Sequence, residues 1–246
     1  MRRSRAGAKF LFERPPALHF HFPIFTMNHI RAALFDLDGV IVDTEGGYTE
    51  FWDAQGRMYL PEIENFAAGI KGFTLAQVFE RFFPDMPEAR REITGRLDAF
   101  ERGMSYGYIP GAPEFVSSLR SEGVRTAIVT SSNNRKMEAV FARRPELRGL
   151  FDAVVTSDSV SKSKPDPECY LLGAKLLGAG SAWVFEDSIS GLRAGAASGF
   201  PVIGLATTLP AEKIAPYCSL VIRDFRGASP AILERAKKTP HAPKKA

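Results

Sequence analysis

The stretch FDLDGVIVDTE, residues 35–45, is an apolar strand-like run that ends in two aspartates spaced by one residue, with a glycine immediately after. Packing alone gives no reason for that ending. RAALFD, over 31–36, has the continuous apolar character of a strand covered on both faces. Similar runs recur at VRTAIVT (124–130), DAVVT (152–156), AWVFE (182–186) and PVIGL (201–205), with helical patterns over 134–144, 168–177 and 190–198 between them. Strands alternating with helices predict βαβ units, and hence an α/β fold: a doubly wound, Rossmann-like parallel sheet with helices on both faces.

One interval breaks the alternation. Residues 46–107 hold no convincing strand, but FWDAQGRMYL (51–60), TLAQVFERFF (74–83) and PEARREITGRLDAFERGM (87–104) carry apolar residues at helical spacing. That is too long for a single crossover between neighbouring strands. It predicts an α-helical cap over 46–107, inserted just after the first strand, with an α/β catalytic core made of 30–45 and 108–226.

Charge and cysteine content narrow the function classes. Residues 1–31 hold six Lys/Arg against one acid and residues 227–246 hold five against one. Taking these from chain totals of 32 and 28 leaves 21 basic and 26 acidic residues in 32–226. The body is mildly acidic, so the net charge of +4 is no nucleic-acid footprint, which would lie on the folded part. Cys169 and Cys218 stand far apart, with no CxxC and no histidine cluster; this argues against a disulfide framework or a zinc site and favours a reducing cytoplasm. No apolar run approaches the roughly 18 residues of a membrane span. Residues 1–29 lack helical or strand period and the uninterrupted apolar core of a secretory signal, so a disordered leader is expected there, with Met27 as a natural start. Residues 227–246 are expected to be a basic tail, and the protein a monomer.

In parallel α/β sheets ligands sit beyond the carboxyl ends of the strands. The first strand ends in Asp36-Leu37-Asp38-Gly39, the second in Thr130-Ser131-Ser132 and the fourth in Glu186-Asp187, and the loop after the third holds Lys162 and Lys164. Each has a plain structural explanation by itself: Asp38 before glycine as a turn former, Thr130 or Asp187 as a helix cap, Lys164 as a solvated lysine. Acid pair, hydroxyl, lysine and second acid pair, in that order and each at a strand end, are not explained by turns and caps. Phosphoryl transfer needs this set. One carboxylate attacks phosphorus, a second protonates the leaving alkoxide and then deprotonates water, and a hydroxyl, a lysine and backbone N–H groups neutralise the remaining oxygens. Carboxylates facing a phosphate dianion also call for a hard cation, Mg²⁺.

The motifs FDLDGVIVDTE, IVTSSNN, SKSKPDPECY and VFEDSISGLRAGAASG resemble those of the haloacid dehalogenase superfamily, in its phosphatase and β-phosphoglucomutase-like branch with a helical cap. The resemblance covers about residues 30–226. It implies Asp36 as nucleophile and Mg²⁺ ligand, and Asp38 as acid/base that also offers its backbone carbonyl to the metal. Thr130 is the implied phosphate-binding hydroxyl with Ser131 and Ser132 beside it, and Lys164 the third-motif lysine. Asp187 is then the remaining Mg²⁺ ligand, with Glu186 as a ligand or behind one. Asp38 argues against dehalogenation, because the dehalogenase branch places no carboxylate there. Ile70-Lys71-Gly72-Phe73 resembles the cap loop that closes over the site, with Lys71 reaching substrate.

β-Phosphoglucomutases carry a histidine at the position matching Tyr48 and, at the one matching Leu75, an arginine that grips the distal phosphate. Both are absent here. The expected function is therefore Mg²⁺-dependent hydrolysis of a small phosphate monoester, a sugar or polyol phosphate, through an aspartyl phosphate, with a phosphosugar mutase as the alternative. A receiver module of phospho-signalling also uses an Asp, a hydroxyl and a Lys on such a sheet, but it has no inserted cap and its acidic pair is adjacent. Neither nucleic acid nor a membrane is expected as a partner.

Overall fold

β1 (Ala32–Phe35) is apolar at every position because both its faces are covered. Ala33 and Phe35 enter one buried layer, Ala32 and Leu34 the other. The computed structural model describes residues 31–237; the leader expected over 1–29, and residues 238–246, lie outside them. After β1 come β2 (Val42–Asp43), four helices, α1 (Glu45–Tyr59), α2 (Phe66–Gly69), α3 (Leu75–Phe82) and α4 (Pro87–Gly103), and then β3 (Gly107–Tyr108). β2 and β3 pair antiparallel, Val42 opposite Tyr108 and Asp43 opposite Gly107, so the chain leaves the core and returns to it through one two-stranded ribbon.

The core continues with α5 (Ala112–Ser121), β4 (Arg125–Val129), α6 (Asn134–Arg143), α7 (Leu147–Leu150), β5 (Ala153–Val155) and α8 (Glu168–Leu176). It closes with β6 (Trp183–Glu186), α9 (Ile189–Ala197), β7 (Val202–Leu205), α10 (Ala211–Ile214), β8 (Leu220–Ile222) and α11 (Ile232–Lys237). Six strands form one parallel sheet in the order β5-β4-β1-β6-β7-β8. β1 lies between β4 and β6, where the winding direction reverses, so the loops after these three strands open into one crevice. All five strands expected in the core are present. β8, an edge strand half-buried throughout, adds a sixth.

Phe35, Phe185, Phe115 and Phe225 fill the layer on one face. Phe35 and Phe185 stack at 4.4 Å and Phe115 and Phe225 at 5.0 Å between ring centroids. This packing fixes the ends of β1 and β6, and therefore the acids that follow them. The cap has its own core around Trp52, Phe66, Val78, Phe83 and Ile93. Of the basic tail expected over 227–246, the described part includes α11, packed on the core, and 238–246 lie outside the described residues. Leu233 and Ala236 of α11 are fully buried in the Phe35 layer, and the Leu233 carbonyl accepts a hydrogen bond from Trp183 Nε1 at 3.1 Å. Apolar residues at 232, 233 and 236 give the helix one buried face in spite of its basic neighbours.

Candidate active site

The backbone after β1 continues the ladder, Asp36 N donating to Phe185 O at 3.0 Å, and then turns back on itself with Ile41 N and Val42 N both donating to Leu37 O. Gly39 makes the turn at φ +74°, where a side chain is strained, and a Cβ there would lie 2.1 Å from Asp187 Oδ2. The glycine after the acid pair is thus required by the close approach of the second acid pair as well as by the turn.

Lys164 sits at the centre, buried, and spends all three of its N–H donors. It reaches Asp36 Oδ1 at 2.7 Å, Glu186 Oε1 at 2.6 Å and Val129 O at 3.1 Å. Glu186 has no free acceptor. Its Oε1 also takes the Tyr170 hydroxyl at 2.8 Å, and its Oε2 takes Asp187 N, Ser188 N and Ser188 Oγ at 2.9–3.1 Å. A Cβ at residue 191 would fall 1.7 Å from Glu186 Oε1, so Gly191 is what lets α9 start against this carboxylate.

Carboxylate oxygens of Asp36, Glu186 and Asp187 lie within 4.8 Å of one another, all three residues buried. One ammonium serves this group, and the titration shifts follow from that. Burial pushes the Asp36 carboxyl up to about 7; Lys164 pulls it down while Glu186 and Asp38 push it further up. Burial raises Asp187 as well, reinforced by Glu186 and Asp36. For Lys164 burial works the other way, but the two carboxylates prevail and hold the ammonium protonated. An all-oxygen donor set with more negative charge than its lysine cancels fits a hard divalent cation.

Asp38 stands outside this cluster. Its Oδ1 accepts from Thr44 Oγ1 at 2.6 Å, and its Oδ2 from Ser132 Oγ at 3.2 Å and Lys136 Nζ at 2.5 Å. Lys136, on the first turns of α6, was not among the residues expected from sequence. It is buried, and it lies 4.4 Å from the centre of the Tyr48 ring of the cap. Two threonines after β7 are also additions: Thr207 Oγ1 donates to Gly39 O at 2.6 Å and Thr208 Oγ1 to Asp187 Oδ2, so one loop holds both acid-bearing turns.

A cavity of about 540 Å³ lies between core and cap. Asp36, Asp38, Lys71, Thr130, Ser131, Ser132, Lys164 and Asp187 all border it, and Glu186 lies behind them. Lys71 reaches it already engaged, its Nζ 2.6 Å from Glu45 Oε2. Leu75 and Tyr48 line the cap side. The cap is closed over the core: Gln77 Nε2 donates to Lys164 O at 3.3 Å, Arg135 pairs with Asp98, and Gly72 packs against Ser188 and Ser190. Among the described residues, no helix is long and apolar enough to cross a membrane.

Comparison with known proteins gives concordant results. A family model described as haloacid dehalogenase-like hydrolase matches residues 30–199. The chain is 34% identical over 190 residues to Hexitol phosphatase A of Escherichia coli (strain K12), covering 74% of this chain and 85% of that protein. It is 27% identical over 220 residues to Protein SUPPRESSOR OF QUENCHING 1, chloroplastic, of Arabidopsis thaliana, and spans 80% of itself but only 20% of that much longer relative. Among solved structures, a HAD hydrolase of family IA, variant 3, from Entamoeba histolytica HM-1:IMSS superposes with a TM-score of 0.74 over 84% of this chain and 99% of that one; at 22% identity it bears on the fold alone.

Proposed function

Because this chain belongs to the haloacid dehalogenase-like hydrolases, we propose that it is a Mg²⁺-dependent phosphatase that cleaves a small sugar or polyol phosphate through an aspartyl phosphate on Asp36. The observation that carries the reading is the state of Asp36. Its Oδ1 is fixed by Lys164 at 2.7 Å, its Oδ2 makes no hydrogen bond among the described residues, and it borders a cavity large enough for a small ester. Asp36 Oδ2 is the attacking atom. As it bonds to phosphorus, the ester P–O bond breaks and Asp38, as general acid, delivers a proton to the departing alkoxide. Water then attacks phosphorus, Asp38 takes its proton, and the bond to Asp36 breaks to release inorganic phosphate.

Thr130 and Ser131, which border the cavity, would take the phosphoryl oxygens, and Lys164, 2.7 Å from Asp36, would supply positive charge beside them. Ser132, Thr44 and Lys136 keep the Asp38 carboxyl beside the cavity and out of the acid cluster. Asp36 and Asp187 would hold Mg²⁺ together with the Asp38 main-chain carbonyl, and Glu186, with every acceptor taken, holds the Asp187 turn in place. When bound, the cation offsets the repulsion between these acids and the phosphate.

The polyol class is supported by the hexitol phosphatase relative, and hydrolysis over mutation by the cap wall. Leu75 lines the cavity where a mutase would need a cation for a second phosphate, and Lys71 is neutralised by Glu45. The test supplies β-glucose 1-phosphate with a trace of the 1,6-bisphosphate and measures both products. Free phosphate should form faster than glucose 6-phosphate. The reverse would establish a mutase.

A further inference from the structure

Ala89, Ile93, Leu97 and Glu101 recur every four residues on the buried stripe of α4. The first three are apolar and join the cap core. Glu101 has only 7% of its surface exposed, yet it carries a carboxylate, and it borders the cavity. Its Oε1 accepts the Tyr48 hydroxyl at 2.8 Å; its Oε2 makes no hydrogen bond among the described residues. Burial raises its carboxyl above the ordinary value, Asp38 adds to this, and Lys136 and Tyr48 work against it. Oε2 is free to take a donor from the cavity that Glu101 borders.

What enters can be narrowed by the cations present. Among the described residues, three lysines and no arginine or histidine border the cavity, and each lysine is already paired: Lys71 with Glu45, Lys136 with Asp38, Lys164 with Asp36 and Glu186. A second anionic group on the substrate would meet Glu45 and Glu101 with no free positive charge to receive it. A cationic group near Glu101 would meet the Lys136 ammonium, which faces the same Tyr48 ring. A neutral hydroxyl has neither problem and supplies the missing donor.

We propose that Glu101 determines substrate specificity: its Oε2 accepts a hydroxyl of the leaving alcohol, and the site as a whole takes uncharged polyhydroxylated monophosphates and turns away esters with a second phosphate or a carboxylate. This rests on the phosphatase reading above and assigns the residue that would select within it. The test uses the full chain with Mg²⁺, comparing kcat/KM for glycerol 3-phosphate and sorbitol 6-phosphate with propyl phosphate, 2-phosphoglycolate and p-nitrophenyl phosphate. The wild type should favour the better polyol phosphate over propyl phosphate by roughly 10-fold or more, and over 2-phosphoglycolate by at least as much. Glu101→Gln keeps the Tyr48 bond and the shape. It should lose roughly 10-fold on the polyol phosphate, stay within about 3-fold on p-nitrophenyl phosphate, and gain on 2-phosphoglycolate. Equal loss on every substrate, or a wild type indifferent to the hydroxyls, would overturn the proposal; the second comparison needs no variant. A wild type that hydrolyses p-nitrophenyl phosphate but prefers 2-phosphoglycolate would overturn it while leaving the phosphatase intact. Inertness toward all five esters would instead bring down the phosphatase reading, and the proposal with it.

Discussion

Replacing Lys164 by methionine removes the one ammonium shared by two buried carboxylates while keeping most of the side-chain volume. In the intact protein its side chain is 4% exposed, that of Asp36 11% and that of Glu186 0%, with N–O distances of 2.7 and 2.6 Å. Removing one partner of a buried pair leaves an uncompensated charge and costs about 3–5 kcal/mol. That is a large part of the roughly 5–15 kcal/mol that holds a domain folded. At about 2–4 °C per kcal/mol for a chain of this size, Lys164→Met should melt roughly 6–20 °C below wild type in EDTA at pH 8. The deficit should shrink at pH 5. Burial already holds the proton on the Asp36 carboxyl to higher pH in the folded state than in the unfolded one, and losing the ammonium strengthens this, so the stability lost through it grows as pH rises. Mg²⁺ should restore part of the melting temperature by supplying another cation to the same oxygens, but not turnover. A deficit below about 3 °C at pH 8, or one that widens toward pH 5, would refute this electrostatic account.

Two further outcomes follow from the same geometry. In metal-free wild type the Asp36 carboxyl is raised from 3.8 to about 7; the folded state therefore binds the extra proton, and stability falls as pH rises between those values and levels off above them. Urea titrations in EDTA should show that slope, and Asp36→Asn should remove its Asp36 part. Lys136→Met leaves Asp38 with only Thr44 and Ser132 as partners, so kcat should fall about 10-fold or more on alkyl phosphates, whose leaving group needs a proton, and less than about 3-fold on p-nitrophenyl phosphate, whose leaving group does not. Equal loss on both would mean that Lys136 is merely structural.

The core was legible because the five strands are short, mostly apolar runs, four of them stopping at a polar residue. Burial on both faces writes that pattern directly into the sequence. β8 was not, since Leu220, Val221 and Ile222 are each only half-buried at the sheet edge and form too short a run. α11 was obscured by the lysines around three apolar positions that only the Phe35 layer makes meaningful. At the site, Asp36, Thr130, Lys164 and Asp187, which the sequence sets at or after strand ends, do come together at one cavity. Lys136 and Glu101 could not be found in the sequence. On a helix, a lysine or glutamate has the pattern of a solvated side chain until tertiary packing turns it inward, and here Tyr48 of the cap touches both. The acidic cluster was visible, but the division of labour within it was not, because only coordinates show that Glu186 spends every acceptor on Lys164, Tyr170 and the 187–188 backbone.

The central claim is that the Asp36 carboxylate becomes phosphorylated, and it can be read chemically. Wild-type protein turning over a phosphate ester with Mg²⁺ is quenched in acid, treated with borohydride, which reduces an acyl phosphate to an alcohol, and digested for mass spectrometry. The peptide containing residues 35–45 should carry the reduction at Asp36 in the presence of substrate and not in its absence, and Asp36→Asn should show neither the mark nor more than about a hundredth of the wild-type rate. Rapid turnover with Asp36 unmodified, or with the asparagine variant still active, would contradict covalent catalysis by this residue.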